Sequence, residues 1–152
     1  MTAIDVAEIG PSLVTFLDVG ALRRCPGSSC TTPVVAGVVH GTNRNGPFLV
    51  LGVNAVARSS LCVPLYGSGG PQRMPLDQKL KTGPGRGWRE GLSFFSVYEF
   101  WLIPLACFAE ASHIEFSEPG NRQRYAQRHP EALDAIIAHK DDSRSPFTPV
   151  RA

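Results

Sequence analysis

Residues Gly41 to Asn54 read GTNRNGPFLVLGVN. Five polar, turn-forming residues, Gly41 to Asn45, lead through Gly46 into Pro47 to Val53, the most apolar segment of the chain. That run is too short for a helix and is bounded by Pro and Asn, so it predicts a central β-strand. Downstream, AVARSS at 55–60 reads as a hairpin connection and LCVPL at 61–65 as the partner strand. Upstream, VVAGVVH at 34–40 is β-branched, with Gly37 where another backbone could pass close. The loop YGSGGPQR at 66–73 is followed by a brief strand at MPLD, 74–77. LSFFSVYEFWLIP at 92–104 is the longest strand candidate, with Glu99 standing oddly among aromatics.

The flanking segments read differently. Residues 3–24 suggest one or two helical turns, or an edge strand at SLVTFLDV, 12–19. LACFAEASHIEF at 105–116 fits helix or strand. PEALDAIIAHK at 130–140 reads as a helix with Pro130 at its first position and an apolar stripe of Leu133, Ile136 and Ile137. The expectation is one mainly β, α+β domain over 1–140, with a small, strongly bent barrel at about 34–104 and a helical part at about 105–140. The tail at 141–152 has too little apolar content to order itself. Gly 15 and Pro 13 support short strands joined by tight turns, and 43% hydrophobic residues suffice for one core.

The net charge of +2 conceals a gradient. Residues 1–22 carry −3, residues 23–104 carry +6 and the remainder −1. The strand-rich middle is therefore basic, which suits polyanions, nucleic acid foremost. No run of about 20 apolar residues could span a bilayer, so no membrane association is expected. The start, MTAIDVAEIG, has no apolar core of signal-peptide length, so a cytoplasmic location with mostly reduced thiols is expected. Cys25 and Cys30, spaced C-x4-C, with His40 as a third donor, would be a loose zinc arrangement. Ordinary turn and core cysteines are the simpler reading, and no metal or other cofactor is expected.

The order of strand, polar loop, GPFLVLGVN, hairpin, LCVPLYGSG and a short MPLD strand resembles the PemK/MazF family of toxin endoribonucleases over about residues 36–103. In that family an Arg-Pro pair opens an apolar strand, and a second strand closes on a Val-Pro-like step followed by Thr. Pro47 to Asn54 and Cys62 to Ser68 align with these stretches. The resemblance implies an SH3-like barrel, a homodimer, a cognate antitoxin and RNA cleavage without a metal. Two functional positions depart from the pattern. Gly46 stands where the family has its catalytic Arg, with Arg44 two positions earlier, and Tyr66 stands where it has Thr, with Ser68 two positions later.

Cleavage of this kind needs a base for the ribose 2′-hydroxyl and a cation for the phosphorane. The candidates are His40 as base, Arg44 or Arg73 as cation, and Tyr66 or Ser68 as assisting hydroxyl. In such a barrel Asn43, Arg44, Asn45 and Arg73 would share one surface, Arg as a bidentate cation and Asn as an amide reader. The same Asn and Gly residues could equally serve only the turn. KLKTGPGRGWREG interleaves Lys79, Lys81, Arg86 and Arg89 with Trp88, cations for phosphates beside a stacking indole. The alternative for this loop is Trp88 packed down with the cations solvated. His113 and Glu115 fit a polar strand edge, and RQRYAQRH at 122–129 fits a solvated helix face. A non-catalytic module that binds protein or nucleic acid is the alternative function.

Overall fold

A computed structural model describes residues 4–31, 34–35, 38–39, 45–113, 122–142 and 147–149, of which 34–35, 38–39, 113, 141–142 and 147–149 are described by backbone alone. A 3-10 turn at Val6–Glu8 precedes β1 (Leu13–Leu17) and α1 (Val19–Arg24). Next come β2 (Ser29–Thr31), the small hairpin β3 (Val34–Val35) and β4 (Val38–Val39), then β5 (Gly46–Asn54) and β6 (Ser59–Pro64). β7 (Arg73–Pro75), a 3-10 turn at Gln78–Leu80, β8 (Lys81–Thr82) and α2 (Arg86–Glu90) follow. The remaining elements are β9 (Phe94–Ser96), β10 (Trp101–Pro104), α3 (Leu105–Ala111), β11 (Ser112–His113), β12 (Gln123–Tyr125), α4 (Pro130–Asp142) and β13 (Phe147–Pro149).

The architecture is mixed α and β around one large antiparallel sheet, in the order β13-β2-β10-β6-β5-β1-β12-β8, with β11 also on β1. Among the described residues no pairing joins the two ends of that order, so the sheet they form is not a closed barrel. β5 lies in its middle, as the apolar run requires. Its side chains alternate between two cores. Phe48 and Val50 join Leu13, Leu17, Cys62, Trp101 and Ile103 on one face, while Leu49 and Leu51 join Val14, Val63, Phe100, Leu133 and Ile136 on the other. A strand covered on both faces has no position for a polar residue, which is why FLVL is unbroken.

α1 and α3 cover the first face and α4 the second. The β5–β6 hairpin turns at 55–58, where the Asn54 side chain accepts from the Ala57 amide at 3.0 Å and Arg58 takes a positive φ of 52°. The register shifts between Val50 and Gly52, a bulge in β5 that leaves Leu51 outside the paired positions.

Several expectations are corrected. β1 is no edge strand, because it pairs with β5 on one side and with β11 and β12 on the other. The long candidate at 92–104 is two strands with a turn between them, since the backbone turns at Val97–Glu99 and carries Glu99 inward to 4% exposure. Val34–Val35 and Val38–Val39 are two short strands paired antiparallel, where the sequence suggests one strand over 34–40. RQRYAQRH contains β12, and Arg122 is buried, because Glu8 supplies an ion pair.

The thiols are not all reduced. Cys25, at the end of α1, is bridged to Cys107 of α3, while Cys30 and Cys62 are buried thiols outside any disulfide. The two bridged residues are 82 apart in sequence, so spacing gives no hint of the pair. In the segment expected to be a disordered tail, 141–142 continue α4 and β13 pairs with β2. No helix among the described residues is long and apolar enough to cross a membrane.

Candidate functional site

The site grows from the end of β6. Leu65 still donates its amide to the Pro47 carbonyl of β5 at 2.9 Å, and Tyr66 is then held by a reciprocal pair of backbone hydrogen bonds to Phe94, each 2.8 Å. Its hydroxyl donates to Glu99 Oε1, and Glu99 Oε2 accepts from the Trp101 indole N–H at 3.2 Å. A carboxyl group this buried is held by named donors, as burial of such a group requires.

On the other side of Tyr66 lies Arg73. The turn at 70–73 needs a left-handed residue, and Gln72 supplies it with φ 68°. Arg73 then enters β7 opposite Ser96, and its guanidinium carbon stands 3.8 Å from the Tyr66 ring centroid. The same guanidinium donates through Nη1 to the Ser68 carbonyl at 3.0 Å and the Ser68 hydroxyl at 3.4 Å. Cation–π stacking and the hydrogen bonds fix the plane of the cation. Three of the sequence-derived candidates, Tyr66, Ser68 and Arg73, thus converge, and Glu99 joins them behind Tyr66.

The other candidates are dispersed. His40, Asn43 and Arg44 lie outside the described residues. Asn45 is engaged in the fold, its Oδ1 accepting from the Val19 amide at 3.0 Å at the start of α1. Lys79 is exposed, and Arg86 pairs with Glu90 one helical turn away at 2.9 Å. Arg89 is exposed.

Lys81 and Trp88 turn inward. The Lys81 ammonium donates to the carbonyls of Trp88 (3.1 Å) and Gly91 (2.7 Å) and to the Ser93 hydroxyl (2.8 Å), and sits 4.4 Å from the Trp88 ring. Burial lowers its pKa from the ordinary lysine value. The Trp88 indole donates to the Thr82 carbonyl at 3.0 Å and is 9% exposed, so it is not an exposed stacking platform.

Trp88 instead forms part of a cavity of about 320 Å³ that Tyr66 also lines. Phe16 adds a third aromatic, while Ser93, Arg122 and Gln123 bring polar groups. Arg122 pairs with Glu8 through Nε (3.2 Å) and Nη2 (3.1 Å), leaving Nη1 buried without a hydrogen-bond partner. Gly85 makes room for Gln123, because a Cβ there would fall 2.3 Å from its amide nitrogen. The sequence reading did not assign Arg122 and Gln123 to a site. The one available signal was the alternation of Arg122 and Arg124 about Gln123, which suits a strand.

Among the described residues no group of three or more His, Cys, Asp or Glu side chains could hold a metal ion. No protein-family model, curated protein or solved structure matches the chain.

Proposed function

We propose that this chain is an RNA-directed protein of the endoribonuclease toxin type that its β5–β6 segment resembles. The observation that carries the reading is the convergence of Arg73, Tyr66 and Ser68 in front of buried Glu99. In cleavage of this kind the ribose 2′-oxygen attacks the adjacent phosphorus and the 5′-oxygen leaves, giving a 2′,3′-cyclic phosphate. The attacking hydroxyl must lose a proton and the leaving oxygen must gain one. Tyr66 is the half-buried group positioned for this exchange, with the Glu99 carboxyl group behind it to hold the phenol proton. Arg73, its plane set by Tyr66 and Ser68, is the cation for the phosphorane charge. His40 and Arg44, which precede β5 in the sequence, belong to the same proposal. The bulged β5–β6 hairpin with its neighbours β1 and β10 is read as the core of an SH3-like barrel that is left unclosed, and an antitoxin and a second copy as its partners.

Filter binding of a single-stranded RNA at about 50 and 200 mM salt tests the reading. Affinity should fall with salt, with a logarithmic slope of about −0.7 for each phosphate neutralised. Arg73→Ala should fold with an unchanged urea midpoint, bind about tenfold more weakly and lose one such increment of slope. Binding that ignores salt, or no binding at all, removes the RNA reading and leaves a protein-binding module.

A further inference from the structure

Lys81 is 6% exposed, yet among the described residues no carboxylate pairs with it. Its hydrogen-bond partners are the carbonyls of Trp88 and Gly91 and the hydroxyl of Ser93, the last at 2.8 Å. Burying a cation without a counter-charge disfavours its charged form, and burial lowers the Lys81 pKa accordingly. This set of partners suits a neutral amine as well as an ammonium. An ammonium has three N–H donors, whereas a neutral amine has two donors and one lone pair. The two carbonyls can only accept, so they take the two N–H groups that both forms possess. The Ser93 hydroxyl either donates to the lone pair of the amine or accepts the third N–H of the ammonium. A proton can therefore cross from Ser93 Oγ to Lys81 Nζ while every other partner stays in place. The Trp88 ring, 4.4 Å from Nζ, steadies the cation that results.

Ser93 is half-buried and lines the cavity of about 320 Å³ together with Phe16, Leu65, Trp88 and Leu92. A serine within hydrogen-bond reach of a desolvated amine, at a cavity large enough for a small molecule, is the arrangement that nucleophilic catalysis needs. The apolar walls fit a short hydrocarbon chain better than a charged group. We infer that Ser93 and Lys81 form a nucleophile–base pair that hydrolyses esters of short apolar acids taken up in this cavity. Ser93 Oγ bonds to the ester carbonyl carbon as its proton passes to Lys81 Nζ. The bond from that carbon to the alkoxy oxygen breaks, and Lys81 returns the proton to the leaving alcohol. Water then attacks the acyl group on Ser93 and gives a proton to Lys81. The acid departs, and Ser93 Oγ recovers that proton. No RNA takes part, so this activity stands or falls apart from the RNA-directed reading.

The test is incubation of the full chain with p-nitrophenyl butyrate, read as p-nitrophenol release, beside labelling with phenylmethanesulfonyl fluoride mapped by peptide mass. Release should continue past one equivalent per chain, and the sulfonyl label should sit on Ser93. Ser93→Ala leaves Lys81 its two carbonyls, so it should fold, as circular dichroism would show. It should lose the label and at least about a hundredfold in rate. Gly87 also lines the cavity, and a Cβ added there meets nothing within 4 Å. Gly87→Leu should therefore keep the fold and slow release at least about tenfold by occupying the space. Lys81→Met should slow release as much as Ser93→Ala does. Where that variant unfolds, Ser93→Cys reads the same proton transfer. Its new thiol, beside Lys81, should react with iodoacetamide at about pH 7 at least about tenfold faster than the thiols of the urea-unfolded chain.

A sulfonyl label that avoids Ser93 would overturn the pair, as would release that stops at one equivalent. An undiminished rate in folded Ser93→Ala, Gly87→Leu or Lys81→Met would do the same. So would a Ser93→Cys thiol that reacts no faster than those of the unfolded chain.

Discussion

Reduction of the Cys25–Cys107 bridge should cost the protein a large part of its stability. The bridge joins residues 82 apart and ties the end of α1 to α3 on one face of the sheet. In the chain-entropy account, releasing a loop of that length returns about 4.5 kcal/mol of freedom to the unfolded chain at 25 °C. With an m-value of about 2 kcal/mol/M, the urea midpoint should fall by about 2 M. Reduction leaves both sulfurs in place, so the change contains no cavity contribution, as a Cys→Ala pair would. The assay is urea unfolding by circular dichroism with and without reductant, beside a thiol count in denaturant. Unreduced protein should show two thiols, those of Cys30 and Cys62. Coincident midpoints, or all four cysteines titrating before reduction, would refute the reasoning.

Other outcomes follow from single side chains. Lys81→Met keeps the apolar stem but strips the donor from two carbonyls and the Ser93 hydroxyl, so it should cost about 2–4 kcal/mol in a urea titration. Gly83→Ala should cost about 2 kcal/mol or more on the same assay, because φ is +118° there and a Cβ would fall 2.7 Å from the Gln123 Cα. Burial pushes the Cys62 thiol up to about 12 from 9.0, so below pH 9 the group is protonated in both folded and unfolded chains and costs nothing. Above pH 9 only the unfolded chain loses the proton, so stability falls by about 1.4 kcal/mol per pH unit from this residue until the folded thiol itself titrates. Cys62→Ala should show a shallower alkaline loss over pH 9–10.5 than the parent chain, by about 2 kcal/mol.

The centre of the fold was legible because hydrophobic periodicity reports burial directly. An unbroken FLVL can only be covered on both faces, and β5 is. The hairpin to β6 and the helix opened by Pro130 carry equally local signals. What escaped depends on distant partners. Glu99 breaks the long strand at 92–104 because Tyr66 and Trp101 draw it inward, and neither pairing leaves a mark on local pattern. Arg122 reads as a solvated cation until Glu8, 114 residues earlier, is brought against it. Trp88 reads as a platform until the Thr82 carbonyl takes its N–H and its ring packs inward. The convergence of Tyr66, Ser68 and Arg73 was within reach of the sequence, since all three lie in one short Gly-rich loop and the strand it enters.

The central claim is that this convergence is directed at RNA. The most direct measurement incubates a long, unstructured RNA with the purified chain and with Arg73→Ala, maps the fragment ends, and runs the same mixtures on a native gel at low salt. The account predicts discrete, repeatable cuts that end in 2′,3′-cyclic phosphate and disappear in Arg73→Ala. RNA that stays whole and migrates as if the protein were absent would contradict it.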